Sequence, residues 1–370
     1  MRLTIFLAIF LISVSGFSQD YFMFVGTYTS GQSKGIYVYR FNTTTGDASL
    51  LSTMESKNPS YLTISPGGKY VYAVNETGDT GEVSSFSFDR GTGQLHFINK
   101  QSSGGADPCY ISEDKTGKWV FVANYSSGSL SALPVNADGS LQPLSQIIQH
   151  TGSGANKERQ EKAHVHSTVL SPDQHFLFAA DLGLDKESVY HISPEKKQPL
   201  SGIKDSAVTV DPGSGPRHFV FHPTKPYAYL IDELSGTVEA FTYNSNTGGL
   251  KHVQRISSHP QNYKGEIGSA DIHISPNGKF LYASNRGDAN SIAIYSIDDS
   301  GKLHIKGFEP VLGLIPRNFI IDPKGHFLLV ANQKSDNVVI FAINQQTGLL
   351  KSTGKQIKIP NPVCLKMLKM

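Results

Sequence analysis

Cysteine is scarce in this chain. Cys109 and Cys364 are the only two in 370 residues, so at most one disulfide can form. Charge is also sparse: Asp, Glu, Lys and Arg make up 17% of the residues, with a net charge of +2. The basic residues are dispersed, which excludes the cationic stripe of a nucleic-acid-binding surface. Long apolar runs are missing as well. The run Ile5 to Ile12 is too short to span a bilayer. The single Gly-x-Ser-x-Gly match, Gly31-Gln32-Ser33-Lys34-Gly35, falls between two expected strands and not at a strand-to-helix turn, so it is not the nucleophile elbow of the serine hydrolases.

What the chain has in quantity is repetition, with 35 Gly and 19 Pro as punctuation. A short apolar strand leads to a Ser-Pro-x-Gly-type turn, then a second strand that ends in Asn or Asp. The first full copy runs from Asn58 through Ser65-Pro66-Gly67-Gly68 to Asn75. Later copies end at Asn124, Asp181, Asp232, Asn285 and Asn332. A strand-built period of roughly 50 residues is the signature of a β-propeller with four strands, A to D, in each blade. Alternation such as Val71, Ala73 and Phe86, Phe88 gives the period of a strand. Turns such as Asp138-Gly139, Ser300-Gly301 and Gln346-Thr347-Gly348 join strands C and D.

Six copies are complete. The N-terminus supplies only strands B, C and D of another (Tyr21 to Thr27, Gly35 to Phe41, Leu50 to Met54). Its strand A is predicted at the far end, from Asn361 to Leu368. The fold class is therefore all-β: a seven-bladed β-propeller with one blade closed by the N- and C-terminal strands. Closure removes the open sheet edges that invite aggregation. The same register puts Cys109 and Cys364 on innermost strands with a blade between them. That is beyond disulfide reach, so free buried thiols are expected.

Residues 1–18 stand outside this count. Arg2, the Ile5 to Ile12 run and Gly16-Phe17-Ser18 read as a secretory signal peptide, with cleavage leaving Gln19 first. The expected organisation is a signal peptide over 1–18 and a propeller domain over 19–370. The mature protein is then periplasmic or secreted, not inserted in the membrane, and monomeric.

Strand direction locates the site. Strand A starts, and strand B ends, on the same face of the disc, around one mouth of the central channel. Starts of strand A carry His164 and His166, Arg217 and His218, Asp271 and His273, and Arg317 and Asn318. Ends of strand B carry Glu76, Tyr125, Asp181, Asp232, Glu233, Asn285, Arg286, Asn332 and Gln333. The recurring Asn75, Asn124, Asn285 and Asn332 suit a backbone-satisfying role. Arg217, Glu233 and Arg286 do not recur, which points to function. Two long loops, 151–163 and 257–269, reach the same face as lids or as solvated insertions. His164 and His166 share one side of a strand by alternation. Zinc needs three or four ligands and no third completes this pair, so no metal and no cofactor are expected.

Gly26-Thr27-Tyr28, Ala163-His164-Val165-His166-Ser167, Gly215-Pro216-Arg217-His218, Asp232-Glu233-Leu234, Ser284-Asn285-Arg286-Gly287, Pro316-Arg317-Asn318-Phe319 and Val330-Ala331-Asn332-Gln333 occur in this order. The chain resembles the lactonase-type seven-bladed propellers over its mature length. That group includes 6-phosphogluconolactonases and 3-carboxy-cis,cis-muconate lactonising enzymes. The resemblance implies catalytic roles for His166, Arg217, Glu233 and Arg286. His164, His218, Arg317 and Gln333 join them as expected substrate-binding residues. The implied partner is a small lactone or acid, and the implied reaction is hydrolysis of a sugar-acid or related lactone. A signal peptide sets this chain apart from enzymes that act on a cytoplasmic phosphogluconolactone. His166 or Glu233 could take the proton of an attacking water. Arg217 and Arg286 stay charged and could hold an acid group or an oxyanion. The same groups would serve ring closure in a cyclase. A secreted propeller that only binds a ligand is the reading from another class. A mouth rich in Arg, His and Glu rather than in aromatic residues favours the enzyme.

Overall fold

The computed structural model describes residues 20–203 and 207–370. The expected signal peptide lies outside the described residues. The described strands form seven antiparallel sheets. Six have four strands; the one that begins with Val165–Leu170 gains a fifth, Val208–Thr209, beside Lys186–Ile192. Apart from a 3₁₀ turn at Gly78–Thr80, every element among the described residues is a strand. The all-β, seven-bladed expectation holds. Pro362–Lys369 lies innermost in the closing blade and pairs with Asp20–Thr27, with Leu368 opposite Phe22 and Cys364 opposite Gly26. Both thiols are free and buried.

Blades stack face to face, so the middle strands are covered on both sides. Their sequences accordingly drop the polar alternation. In Trp119–Asn124 and Phe327–Asn332 every residue is buried. Outer strands such as Ala48–Glu55 keep mostly exposed or half-buried positions and read as polar. Between the closing blade and the next, Phe22 and Phe24 each meet Phe88 edge-on at 4.8 Å. Aromatic contacts of this kind add to the burial term.

A second lock recurs around the ring. Tyr72, Tyr229 and Tyr282 each donate from their hydroxyl to a hairpin carbonyl of the next blade, at Gly139, Gly301 and Gly348 (3.2, 2.9 and 2.8 Å). These glycines sit at φ +82°, +82° and +75°. A Cβ at Gly139 would lie 2.2 Å from the Tyr70 ring. The Gly of the C–D turn is thus required by the turn and by the neighbouring blade.

One irregularity positions the site. In six blades the innermost strand carries a β-bulge near its start, as between Pro108 and Tyr110, Val165 and Ser167, Pro216 and His218, and Pro316 and Asn318. A bulge inserts one residue and re-aims its side chain. The inserted residues in those four blades are Cys109, His166, Arg217 and Arg317.

Candidate active site

The bulges bring Cys109, His166 and Arg317 to one channel mouth. The residues just past the ends of the second strands join them: Tyr28, Glu76, Tyr125, Glu233 and Arg286. With Arg159 from the long loop they line a pocket of about 330 Å³. The buried Asn and Asp residues that end these strands hold the loops in place. Asn285 donates to Ser258 O at 2.6 Å and accepts from Ser269 Oγ at 2.7 Å. Asp181 accepts the backbone N–H groups of His164, Gly183 and Leu184. The recurring residues serve the backbone, as their recurrence predicts.

Glu233 is the hub. Its carboxylate accepts from Arg159 at 2.7 Å and Arg217 Nε at 3.0 Å, and pairs with Arg286 at 3.1 Å. Burial pushes its pKa up. The charges of Arg286, Arg217 and Arg159 outweigh burial and hold the carboxyl well below its usual range. Arg286 is also anchored by the backbone: Nε donates to the Gly268 carbonyl (3.0 Å) and Nη2 to that of Ser269 (3.1 Å). Arg217 is 2% exposed and donates from Nη1 to Ala270 O at 2.6 Å. Burial, Arg286 and Arg317 lower its pKa to about 10 against the pull of Glu233, so it stays charged at neutral pH.

His166 lies with Nε2 3.9 Å from Glu233 and Nδ1 3.8 Å from Cys109 Sγ. Tyr125 meets its ring edge-on at 5.3 Å. Burial, Arg217 and His218 push its pKa well below the usual histidine value, and nearby Glu233 only partly offsets them. It is therefore a neutral imidazole at pH 7. Burial raises the pKa of Cys109, so its thiol is protonated and no nucleophile. Across the pocket, Arg317 stacks over the Tyr28 ring (5.4 Å), and Tyr28 donates to both oxygens of Glu76 (2.9 Å each).

The sequence-derived residues thus divide. His166, Glu233 and Arg286 converge on one pocket, with Arg317 on its wall. Arg217, expected to meet substrate, is withdrawn beneath Glu233 and does not line the pocket. His164 precedes the bulged strand and stacks on Tyr125 at 4.5 Å, with Nδ1 3.0 Å from the Tyr125 carbonyl; it props Tyr125 rather than lining the pocket. Gln333 sits at the rim, half-buried, and lines no part of it. His218, with Asp271 and His273, faces a second cavity of about 300 Å³ that also contains Tyr61, Tyr110 and Lys366. The bulge is the physical reason, since it turns consecutive residues such as Arg217 and His218 inward at different depths. Of the two expected lids, the loop over 151–163 contributes Arg159, while residues 257–269 contribute backbone anchors for Arg286. Sequence reasoning passed over Tyr28, Cys109 and Arg159 as pocket residues. Tyr28 and Cys109 occupy the repeat positions of Glu233 and His166, which was the available signal; Arg159 had none. Among the described residues no group of His, Cys, Asp and Glu is arranged to hold a metal ion. None of their helices is long and apolar enough to cross a membrane.

Fold and pocket together define a propeller with an arginine-rich small-molecule site at one channel mouth. Residues 22–367 match the family described as lactonase, 7-bladed beta-propeller, and the chain belongs to that family. It is 44% identical to a 6-phosphogluconolactonase of Formosa agariphila, over 93% of this chain and 99% of the relative. A Bacillus subtilis 6-phosphogluconolactonase is 34% identical over 94% and 98%. The solved structure of a Pseudomonas aeruginosa periplasmic gluconolactonase superposes with a TM-score of 0.90 at 40% identity, covering 94% of this chain and 99% of that one.

Proposed function

We propose that this protein hydrolyses the lactone of a sugar acid, in the manner of the 6-phosphogluconolactonases. The observation that carries the reading is the neutral His166 beside a carboxylate already neutralised by guanidiniums. Glu233 accepts charge from three arginines and is a poor base. The imidazole has an available nitrogen lone pair at neutral pH, so His166 is the general base. It takes a proton from water as the water oxygen bonds to the lactone carbonyl carbon. Arg286 stabilises the oxyanion that forms. Collapse breaks the ring C–O bond, and the leaving alkoxide takes the proton back from His166. The product is an open-chain hydroxy acid.

Charge supports the substrate class. Arg159, Arg286 and Arg317 line the pocket with Glu76 and Glu233, and Arg217 adds its charge beneath Glu233. The cationic excess suits the product carboxylate and, on a phosphorylated lactone, the phosphate. A hydrolysis screen with glucono-δ-lactone and its 6-phosphate tests this. Turnover of either that is lost in His166→Ala supports it. No turnover on any aldonolactone refutes it and leaves a ligand-binding propeller.

We also propose export, with cleavage before Gln19. The support is the Arg2, Ile5 to Ile12 and Gly16-Phe17-Ser18 pattern, together with the likeness to a periplasmic gluconolactonase. Recovery of soluble cytoplasmic protein that still begins at Met1 overturns it. We propose further that the protein is a monomer; the support is that all the pocket residues named come from one chain. A dimer mass by light scattering would contradict that.

A further inference from the structure

Behind Arg217 lies a carboxylate–imidazole pair that does not line the pocket. His218 Nε2 is 3.2 Å from Nη1 of Arg217. A guanidinium only donates, so Nε2 must present its lone pair. The proton then resides on Nδ1, and Asp271 Oδ1 receives it at 2.7 Å. Oδ1 also accepts the Ile272 N–H at 3.0 Å. Oδ2 takes Asn318 Nδ2, the Phe319 N–H at 3.2 Å and His273 Nε2 at 3.0 Å. Every acceptor site of the carboxylate is in use.

The protonation states agree with this geometry. Burial and Arg217 bring His218 down to about 4, with Asp271 opposing them. Burial raises the pKa of Asp271, and His273 and His218 more than reverse it. Three rings also stand around His218, those of Tyr110, Tyr61 and His166, with centroids at 5.3, 5.9 and 5.5 Å. Arg217 Nη1 gives one hydrogen to the Ala270 carbonyl at 2.6 Å and turns the other to His218.

We propose that Asp271 and His218 are positioning residues for the reaction at the other side of Arg217. Asp271 fixes the His218 tautomer, and His218 Nε2 pins the Arg217 guanidinium beneath Glu233. Arg217 in turn holds the carboxylate that orients Arg286 and flanks His166. The logic is that of an acid that sets a histidine's tautomer, here with an arginine as the group held. The kinetic consequence rests on the lactonase reading; the arrangement itself does not.

Asp271→Asn is the sharpest test. Three donors converge on Oδ2, so the amide oxygen takes that place and the NH₂ faces His218 Nδ1. Nδ1 must then accept, the proton moves to Nε2, and an N–H meets an N–H of Arg217. His218→Asn keeps a donor for Asp271 and loses the acceptor for Arg217. His218→Gln keeps an acceptor at the reach of Nε2. Asp271→Asn and His218→Asn are expected to lower kcat on the lactone that the wild type turns over by about 10- to 100-fold, the worth of one charged hydrogen bond. KM should change by less than about threefold, because Arg217 does not line the pocket. His218→Gln should retain most of kcat. Independently of turnover, NMR of the His166 imidazole should show its pKa rising in Asp271→Asn and His218→Asn, as the nearby guanidinium is released. The proposal is overturned if both variants melt as the wild type does and keep its kcat and its His166 titration. If the wild type hydrolyses no lactone, the functional reading fails and the His166 titration alone decides the pair. Should Asp271→Asn not fold, the contrast between His218→Asn and His218→Gln decides it.

Discussion

Replacing Glu233 by Gln removes one negative charge and almost no volume. In the native pocket that charge faces Arg159, Arg217 and Arg286 at 2.7, 3.0 and 3.1 Å. Arg159 is 45% exposed in its side chain, so solvent screens its share. Arg217 is the opposite case, at 2% exposed, and it cannot reach water. Taking away one partner of a buried ion pair costs about 3–5 kcal/mol, because the other charge is left uncompensated. For a chain of this size that is roughly a 4–7 °C fall in Tm, at about 1.4 °C per kcal/mol. Calorimetry at pH 7 in low salt measures it. Added phosphate should restore part of the loss in the variant, because an anion that binds only the folded state stabilises it by mass action. The pH dependence gives a second check. The folded-state pKa of Glu233 is depressed, so its contribution is present above the unfolded value of 4.5 and is lost as pH falls through the folded one. The variant should lack that part of the acid slope. A Tm within about 1 °C of the wild type, with no response to phosphate, would refute the reasoning.

His166→Ala should lower kcat by about 10²–10⁴ while leaving the fold intact, which kinetics and circular dichroism check. The acid limb of the wild-type pH–rate profile should fall below the ordinary histidine value of 6.5, because burial and Arg217 depress His166. Arg286→Lys should impair turnover although charge is kept, since an ammonium cannot hold the Gly268 and Ser269 carbonyls and Glu233 together; steady-state kinetics would show it. Deleting residues 360–370 removes the innermost strand of the closing blade and opens two edges, so the protein should melt well below the wild type or aggregate. Glu187→Gln should raise Tm at neutral pH. Glu187 is fully buried, and burial with Asp232 and Asp181 nearby holds its pKa well above 4.5. Its folded state therefore loses stability as pH rises from that unfolded value, a cost that a neutral amide avoids.

The blade count and the ring closure were legible because they depend on features that repeat. Asn75, Asn124, Asn285 and Asn332 mark strand ends, and one end per roughly 50 residues counts blades. The pairing of Phe22 with Leu368 followed from what the first copy lacked. The candidate site was legible to the level of a face, because strand direction alone puts Glu233, Arg286 and His166 together. Depth was not legible. Period-two alternation places His164 and His166 side by side. The bulge at the start of that strand undoes this, and no residue type announces it: a cysteine, a histidine and two arginines fill the inserted position in four blades. Arg159 was hidden for another reason. Its loop belongs to no repeat, so neither register nor strand direction aims it.

The propeller supplies seven equivalent places around the channel, and the chemistry lies in how they differ. At the inserted position of the innermost strand the chain carries Cys109, His166, Arg217 and Arg317, but by the same register Ser60, Ala270 and Val363 in the other three blades. The short Ala270 bares a carbonyl that takes Arg217 Nη1. Arg217 therefore reaches sideways to the neighbouring blade, with Nε on Glu233 and Nη1 toward His218. A symmetric ring of seven arginines would repel itself open, and seven alanines would leave a pore. The mixture gives one buried guanidinium held between the Glu233 carboxylate and the His218 imidazole. That arrangement fixes the charge of the pocket before any substrate arrives, which is the preorganisation that an oxyanion requires.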